Sequence, residues 1–140
     1  MRKHNSHGVI VTSLDAARLK QLLERAVINA RDQGLFDRLE EELESARVVR
    51  PESVPPDVVT INSRVCVHDM NTAEETVHTL VMPREADAKA GKISMLAPVA
   101  IALLGQKVGD IVELSAPGGV RKLKVMRILY QPEAAGNYQL

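Results

Sequence analysis

The stretch ISMLAPVAIALLGQKVGD, residues 93–110, with Pro117-Gly118-Gly119 after it, restricts the possible folds more than any other part of this chain. Ile93-Ser94-Met95 reads as a short strand. Pro98 suits the first turn of a helix, where its missing N–H is not needed. Val99 to Leu104 is apolar almost all round, so that helix must lie buried against a sheet. Gly105 stands where a left-handed C-cap is wanted. Val108-Gly109-Asp110 then turns the chain into a strand from Ile111 to Ser115. Pro117-Gly118-Gly119 is a hairpin connection. It leads into the longest strand, Val120 to Tyr130, whose alternation changes phase near Val125-Met126, as at a bulge. This order of parts suits a domain that binds a partner protein better than one that builds a catalytic centre.

Upstream the hydrophobic period is helical. Residues 1–8 read as a loose polar tail. A helix begins near Ser13, with Thr12 and Asp15 as a weak capping box. Leu19, Leu22, Leu23, Ala26, Val27 and Ala30 then recur on one face. Gly34 breaks the run, and a second helix carries Phe36, Leu39, Leu43 and Ala46 at coiled-coil spacing. The break at residues 32–34 makes the two helices an antiparallel hairpin. Each arm has about 16 residues and a reach of roughly 25 Å. Such a hairpin buries its seam on one side only, so it must lean on something. The alternative is that both helices cap a core. RPESVPPD, residues 50–57, marks a boundary. The expected fold is therefore α+β: an N-terminal antiparallel two-helix coiled-coil hairpin over residues 1–50, then an antiparallel β-sheet domain with a short helix over residues 51–140.

Beyond the boundary, Val58-Val59-Thr60-Ile61, Arg64 to His68 and Thr76 to Met82 read as strands, with a turn from Asp69 to Glu75. His68 and His78 could face each other across the strand pair. The tail QPEAAGNYQL reads as extended.

Composition excludes several functions. The 18 basic and 18 acidic residues cancel, which argues against a general or sequence-specific nucleic-acid binder. The balance hides an asymmetry: a surplus of basic residues from Arg2 to Arg31 is followed by an acidic segment, Asp32 to Glu44, and segments of opposite sign can pair. Phe36, Tyr130 and Tyr138 are the only aromatics, too few for base-stacking platforms or an aromatic peptide pocket. Neither a phosphate loop nor a dinucleotide-binding glycine motif is present, and no catalytic triad order stands out. His4 and His7 lack further metal ligands nearby, so neither a metal nor a cofactor is expected. Cys66, the single cysteine, cannot form an internal disulfide, which fits a reducing cytosol. No apolar run is long enough to span a bilayer and no signal peptide is read. A cytoplasmic, monomeric, non-enzymatic protein is expected. The basic cluster Arg121, Lys122, Lys124 and Arg127 reads as a solvated face or as a contact for an acidic partner.

Ile93, Ser94, Pro98, Ala100, Ala102, Leu103, Gly105, Gly109, Asp110 and the Pro-Gly-Gly together resemble the pattern ISxxSPxAxALxGxxxGD…PGG of the Gre transcript-cleavage factors. PPDVVTINSRV, MLAPVAIALLG and YQPEAAGNYQL are similar to a branch of that family known as regulators of nucleoside diphosphate kinase. The resemblance implies an FKBP-like β-domain behind a coiled coil. It also implies RNA polymerase as the partner, bound at the rim of its secondary channel through the loop of Ser94, Leu96, Ala97 and Pro98. Cleavage factors carry carboxylates at the coiled-coil tip that help hold a magnesium ion; here Asp32 and Asp37 lie at or near the tip. Leu96 stands where cleavage factors place a polar or acidic residue, and Ala97 replaces their serine. With a coil about half as long, these departures imply a regulator that occupies the channel entrance without stimulating cleavage, competes with cleavage factors, and affects nucleoside diphosphate kinase only indirectly. The alternatives are an FKBP-like prolyl isomerase, which the missing aromatic pocket disfavours, and direct binding to a nucleotide kinase.

Overall fold

The computed structural model describes residues 2–3, 8–25 and 33–138. Along the chain run β1 (Arg2–Lys3), β2 (Ile10–Thr12), α1 (Ser13–Arg25), α2 (Gln33–Ser45), β3 (Arg47–Val49), β4 (Arg64–Asp69) and β5 (Glu75–Val81), then β6 (Lys92–Ser94), α3 (Pro98–Leu103), β7 (Ile111–Ala116) and β8 (Gly119–Tyr130). Six strands form one sheet in the order β1-β7-β8-β4-β5-β6, and β2 and β3 form a second, two-stranded sheet.

The main sheet is antiparallel except at one edge. Lys92, Ile93 and Ser94 run parallel to Thr79, Leu80 and Val81, which departs from the expected all-antiparallel sheet. A parallel pair needs a crossover, and the connection from Met82 to Gly91 supplies it in two tight turns, Pro83–Glu85 and Ala88–Ala90. The expected bulge is present: Cys66 pairs with Arg127 but Val67 pairs with Val125, which leaves Met126 over. The Pro117-Gly118 corner closes the β7–β8 hairpin, with Ala116 opposite Gly119 and Gly118 at a φ of +89° that only glycine adopts freely.

Val58 to Ile61 is not a strand. The four residues are buried, but their polar backbone atoms are satisfied by other means. Ile61 N–H donates to the Asp15 carboxylate at 3.0 Å, and Thr60 N–H donates to Ser63 Oγ at 2.9 Å. Val59 exchanges bonds with the loop after α3, at Gly105 and Gln106. The C-terminal tail is folded into turns between Gln131 and Asn137, not extended. It is fixed by the buried Gln131 carboxamide, which donates to the Pro55 and Val58 carbonyls, both at 2.8 Å.

The helices cover the core. Leu19 of α1 and Leu39 of α2 have no exposed surface, and both belong to the same buried cluster as Leu80, Met95, Ile101, Leu103 and Val112. Leu22, Leu23, Leu35 and Leu43 pack at its margin. The expected seam is thus spent largely on the β-domain and not on a self-contained pair of helices. The described apolar positions of α1 and α2 are by themselves too few to bury a core unaided. Gly34 does not break a helix but lies in the first turn of α2. Ala26, Val27, Ala30 and Asp32 fall outside the described residues, as do His4 and His7.

One close approach joins the two parts of the chain. Ile10 N–H donates to the Gly105 carbonyl at 3.2 Å. A Cβ at residue 105 would stand 2.7 Å from the Val9 Cβ and 2.9 Å from the Ile10 carbonyl oxygen, and Gly105 has φ +78°. Backbone handedness and lack of space therefore both demand glycine. Gly105→Ala should lower unfolding free energy by about 3 kcal/mol, from left-handed strain plus overpacking. Urea titration of the two proteins measures this, and a loss below about 1 kcal/mol would contradict so tight an approach.

Candidate functional site

The loop singled out by sequence lies at the parallel edge of the main sheet. Ser94 ends β6, and its hydroxyl accepts the Leu96 N–H at 3.0 Å while its carbonyl accepts the Ala97 N–H at 2.9 Å. Met95 N–H donates to Val81 at 2.8 Å, and the Met95 side chain is fully buried. These bonds hold Leu96 and Ala97 in a tight turn ahead of Pro98, which opens α3 without needing a donor. Ser94, Leu96 and Ala97 are half-buried and Pro98 is exposed. The structure therefore brings all four together, with Met95 beneath them as an anchor that points away from any partner. Leu96 and Ala97 also pack against the margin of the core, so their apolar character is partly structural.

Asp37 lies on the exposed face of α2, one turn from its start, and accepts the Gln33 amide at 2.8 Å. Its supposed companion Asp32 is not described, so the two are not brought together. The acidic run of α2 is a solvated face only in part: Glu40, Glu41 and Glu44 are exposed, whereas Glu42 is half-buried. Burial lowers the Arg38 pKa, and Glu42 and Glu41 oppose that shift.

The basic cluster on β8 is half neutralised from within. Arg121 grips the Asp69 carboxylate through Nε at 3.1 Å and a terminal nitrogen at 3.0 Å. Asp69 also accepts the Asn71 and Thr72 N–H groups that build the β4–β5 turn. The Asn71 N–H bond, with Arg121 assisting, holds this carboxyl below its ordinary pKa. Arg127 lies 3.6 Å from Glu75. The two histidines do not face each other: His78 is opposite Val65, and His68 is opposite Glu75. A direct register places residues an odd number apart on opposite faces. Cys66 is buried, its thiol pKa raised by desolvation, which disfavours the reactive thiolate. Among the described residues no group of His, Cys, Asp and Glu is arranged to hold a metal ion. None of their helices is long and apolar enough to cross a membrane.

Residues 54–130 match the family described as transcription elongation factor GreA/GreB, C-terminal, and residues 8–49 match the one described as the Rnk N-terminus. The chain belongs to the GreA/GreB family, in its Rnk branch. It is 42% identical over 133 residues to the regulator of nucleoside diphosphate kinase of Escherichia coli K12, covering 94% of this chain and 96% of that one. It is 44% identical over 96 residues to the transcription elongation factor GreA of Acetivibrio thermocellus, covering 69% of this chain but 60% of that factor. A solved GreA/GreB elongation factor from Nitrosomonas europaea superposes with a TM-score of 0.72 at 43% identity, over 89% of this chain and all of that one. The chain is accordingly a regulator of the transcription-elongation-factor type. Its relatives are named as regulators and factors, not as catalysts in their own right.

Sequence reasoning missed the residue that sets the helices on the β-domain. Asp15 is 1% exposed. It receives the Ile61 N–H, its own N–H donates to Thr12 Oγ1 at 3.1 Å, and Arg18 lies 3.6 Å away. The Thr12-x-x-Asp15 spacing was visible as a cap, but its second use, reaching 46 residues along the chain, was not. Burial raises the Asp15 pKa to about 7; nearby Glu133 adds to the rise, while the Ile61 bond and Arg18 oppose it.

The folded acid thus holds its proton in a range where the unfolded chain releases it. Its contribution to stability is complete below pH ~4 and is lost as pH rises through about 7. The corresponding swing is on the order of 4 kcal/mol. Asp15→Asn keeps an acceptor for Ile61 and removes the titration. The stability difference between wild type and this variant should change between pH 4 and 8 in favour of the variant at high pH. Taking the difference removes His78, whose pKa burial lowers and which acts in the opposite sense in both proteins. A difference that stays constant across that range would show that Asp15 is ionised throughout.

Proposed function

We propose that this chain binds bacterial RNA polymerase at the rim of its secondary channel, and that it acts there as a non-catalytic competitor of Gre-type cleavage factors. Ser94, Leu96, Ala97 and Pro98 form the docking loop, and α1 and α2 enter the channel mouth. The observation that carries the reading is the short helical arm behind a Gre-type docking domain. α1 and α2 are 13 residues each, about 20 Å of helix, and the seven residues between them, going out and back, can add at most about 12 Å even when fully extended. An arm of that length stops short of a catalytic centre deep in the channel, and a carboxylate assists metal-dependent cleavage only if it reaches the metal. The apolar turn at Leu96 and Ala97 gives the contact a different chemistry from that of the cleavage factors. Any effect on nucleoside diphosphate kinase then follows indirectly, through transcription. The protein works in the cytoplasm as a monomer and needs no sequence-specific contact with nucleic acid.

Immobilised polymerase should retain the full-length protein, and rising amounts of it should suppress transcript cleavage driven by a Gre factor in stalled complexes. Pro98→Glu, at an exposed position, should weaken retention about tenfold, the cost of setting one charge against an apolar contact. Leu96→Asp should weaken it further, with unfolding midpoints confirming that both variants fold. Cleavage stimulated by this protein alone, or retention unaffected by either substitution, would exclude the competitor reading.

A further inference from the structure

A groove of about 610 Å³ opens between α1 and the turn that follows β5. It falls within the size range of small-molecule sites, and it lies apart from the docking turn at residues 94–98. On one side stand Arg18, Leu22 and Arg25 of α1; on the other, Met82, Pro83 and Arg84. These six divide into a cationic set and an apolar set. Arg18 is engaged by Asp15 at 3.6 Å. Among the described residues, Arg25 and Arg84 have neither an ion pair nor a side-chain hydrogen bond, and the half-buried Asn62 carboxamide in the same groove has none either. Among the described residues Asn62 is one of two non-glycine residues with positive φ, at +71°. That backbone is held by its own N–H donating to the Leu80 carbonyl at 2.6 Å. Glu85 is the single carboxylate of the lining, so positive charge prevails.

We infer that this groove binds a small diphosphate-bearing ligand. Guanidinium groups present paired donors that match phosphate oxygens, and Arg25 and Arg84, one on each wall of the groove, have no ion pair or side-chain hydrogen bond among the described residues. The diphosphate lies between Arg25 and Arg84, with the Asn62 amide as a further donor. The apolar patch of Leu22, Met82 and Pro83 leaves room for a base or another uncharged body. Two sources share this chemistry, inorganic pyrophosphate and a nucleoside diphosphate. An acidic peptide is less suited, since the cationic and apolar sets share one compact groove and do not form an extended trough.

The test uses the full chain, titrated with sodium pyrophosphate, with ADP and with a glutamate-rich peptide, read by calorimetry and by the unfolding midpoint. At least one diphosphate should saturate by about 1 mM and raise the midpoint. Arg25→Gln and Arg84→Gln should each weaken binding about tenfold, as expected for loss of a charge-assisted pair, and the double variant should abolish it. Both positions are exposed, so the variants' ligand-free midpoints should match wild type. ADP binding several-fold tighter than pyrophosphate assigns the ligand to the nucleotide class, and equal affinities assign it to inorganic diphosphate. No saturation by either up to about 10 mM, affinity unchanged by both substitutions, or a response to the peptide alone would overturn the assignment. None of these outcomes depends on polymerase binding.

Discussion

Everything in this molecule depends on one contact surface, where the N-terminal segment closes over the β-domain. Val9 and Ile10 lie against Gly105 with no space for a side chain, Asp15 caps the Ile61 amide, and Leu19 and Leu39 enter the sheet's own core. Each is a different kind of constraint: steric, polar and hydrophobic. Together they fix where the helical arm starts relative to the loop at residues 94–98. The closure therefore fixes the geometry on which the proposed docking relies.

The charged residues of β8 are arranged separately from this closure. Net charge is zero, and the basic strand β8 spends Arg121 on Asp69 and Arg127 on Glu75. The Arg121 fork does structural work, since its carboxylate partner also organises the β4–β5 turn. Exposed pairs such as Arg127–Glu75 add little stability but remove charge from a surface that would otherwise be read as a binding patch.

Much of the fold was legible because period and punctuation agreed. The buried helix α3, the left-handed Gly105, the Pro117-Gly118 corner and the Met126 bulge all follow from residue types at fixed spacing. The misreadings share a cause. Val58 to Ile61 has a strand's composition, but its hydrogen bonds go to Asp15, Ser63 and the loop after α3, and a partner 46 residues away leaves no local trace. Likewise the parallel edge strand β6 depends on where a ten-residue connection happens to return. The helical seam was read correctly as apolar; what it packs on is a tertiary matter that the spacing of leucines does not encode. At the candidate docking loop, sequence proposed four residues that the fold places in one turn, while the buried Met95 beneath them and the cross-chain bond of Asp15 emerged only in three dimensions.

The small parallel pair β2–β3 has a consequence for how such proteins can diversify. Ile10–Thr12 precedes α1 directly, and Arg47–Val49 follows just after α2, paired residue for residue. The arm is thus a loop whose two ends are stapled together at the base. Closing such a loop costs only about 0.6 kcal/mol more for each doubling of its length. Residues can be added or removed at the far end while the staple, the core and the docking turn stay as they are. Reach is therefore an adjustable dimension of this architecture, set at the far end of the arm and independent of the staple at its base.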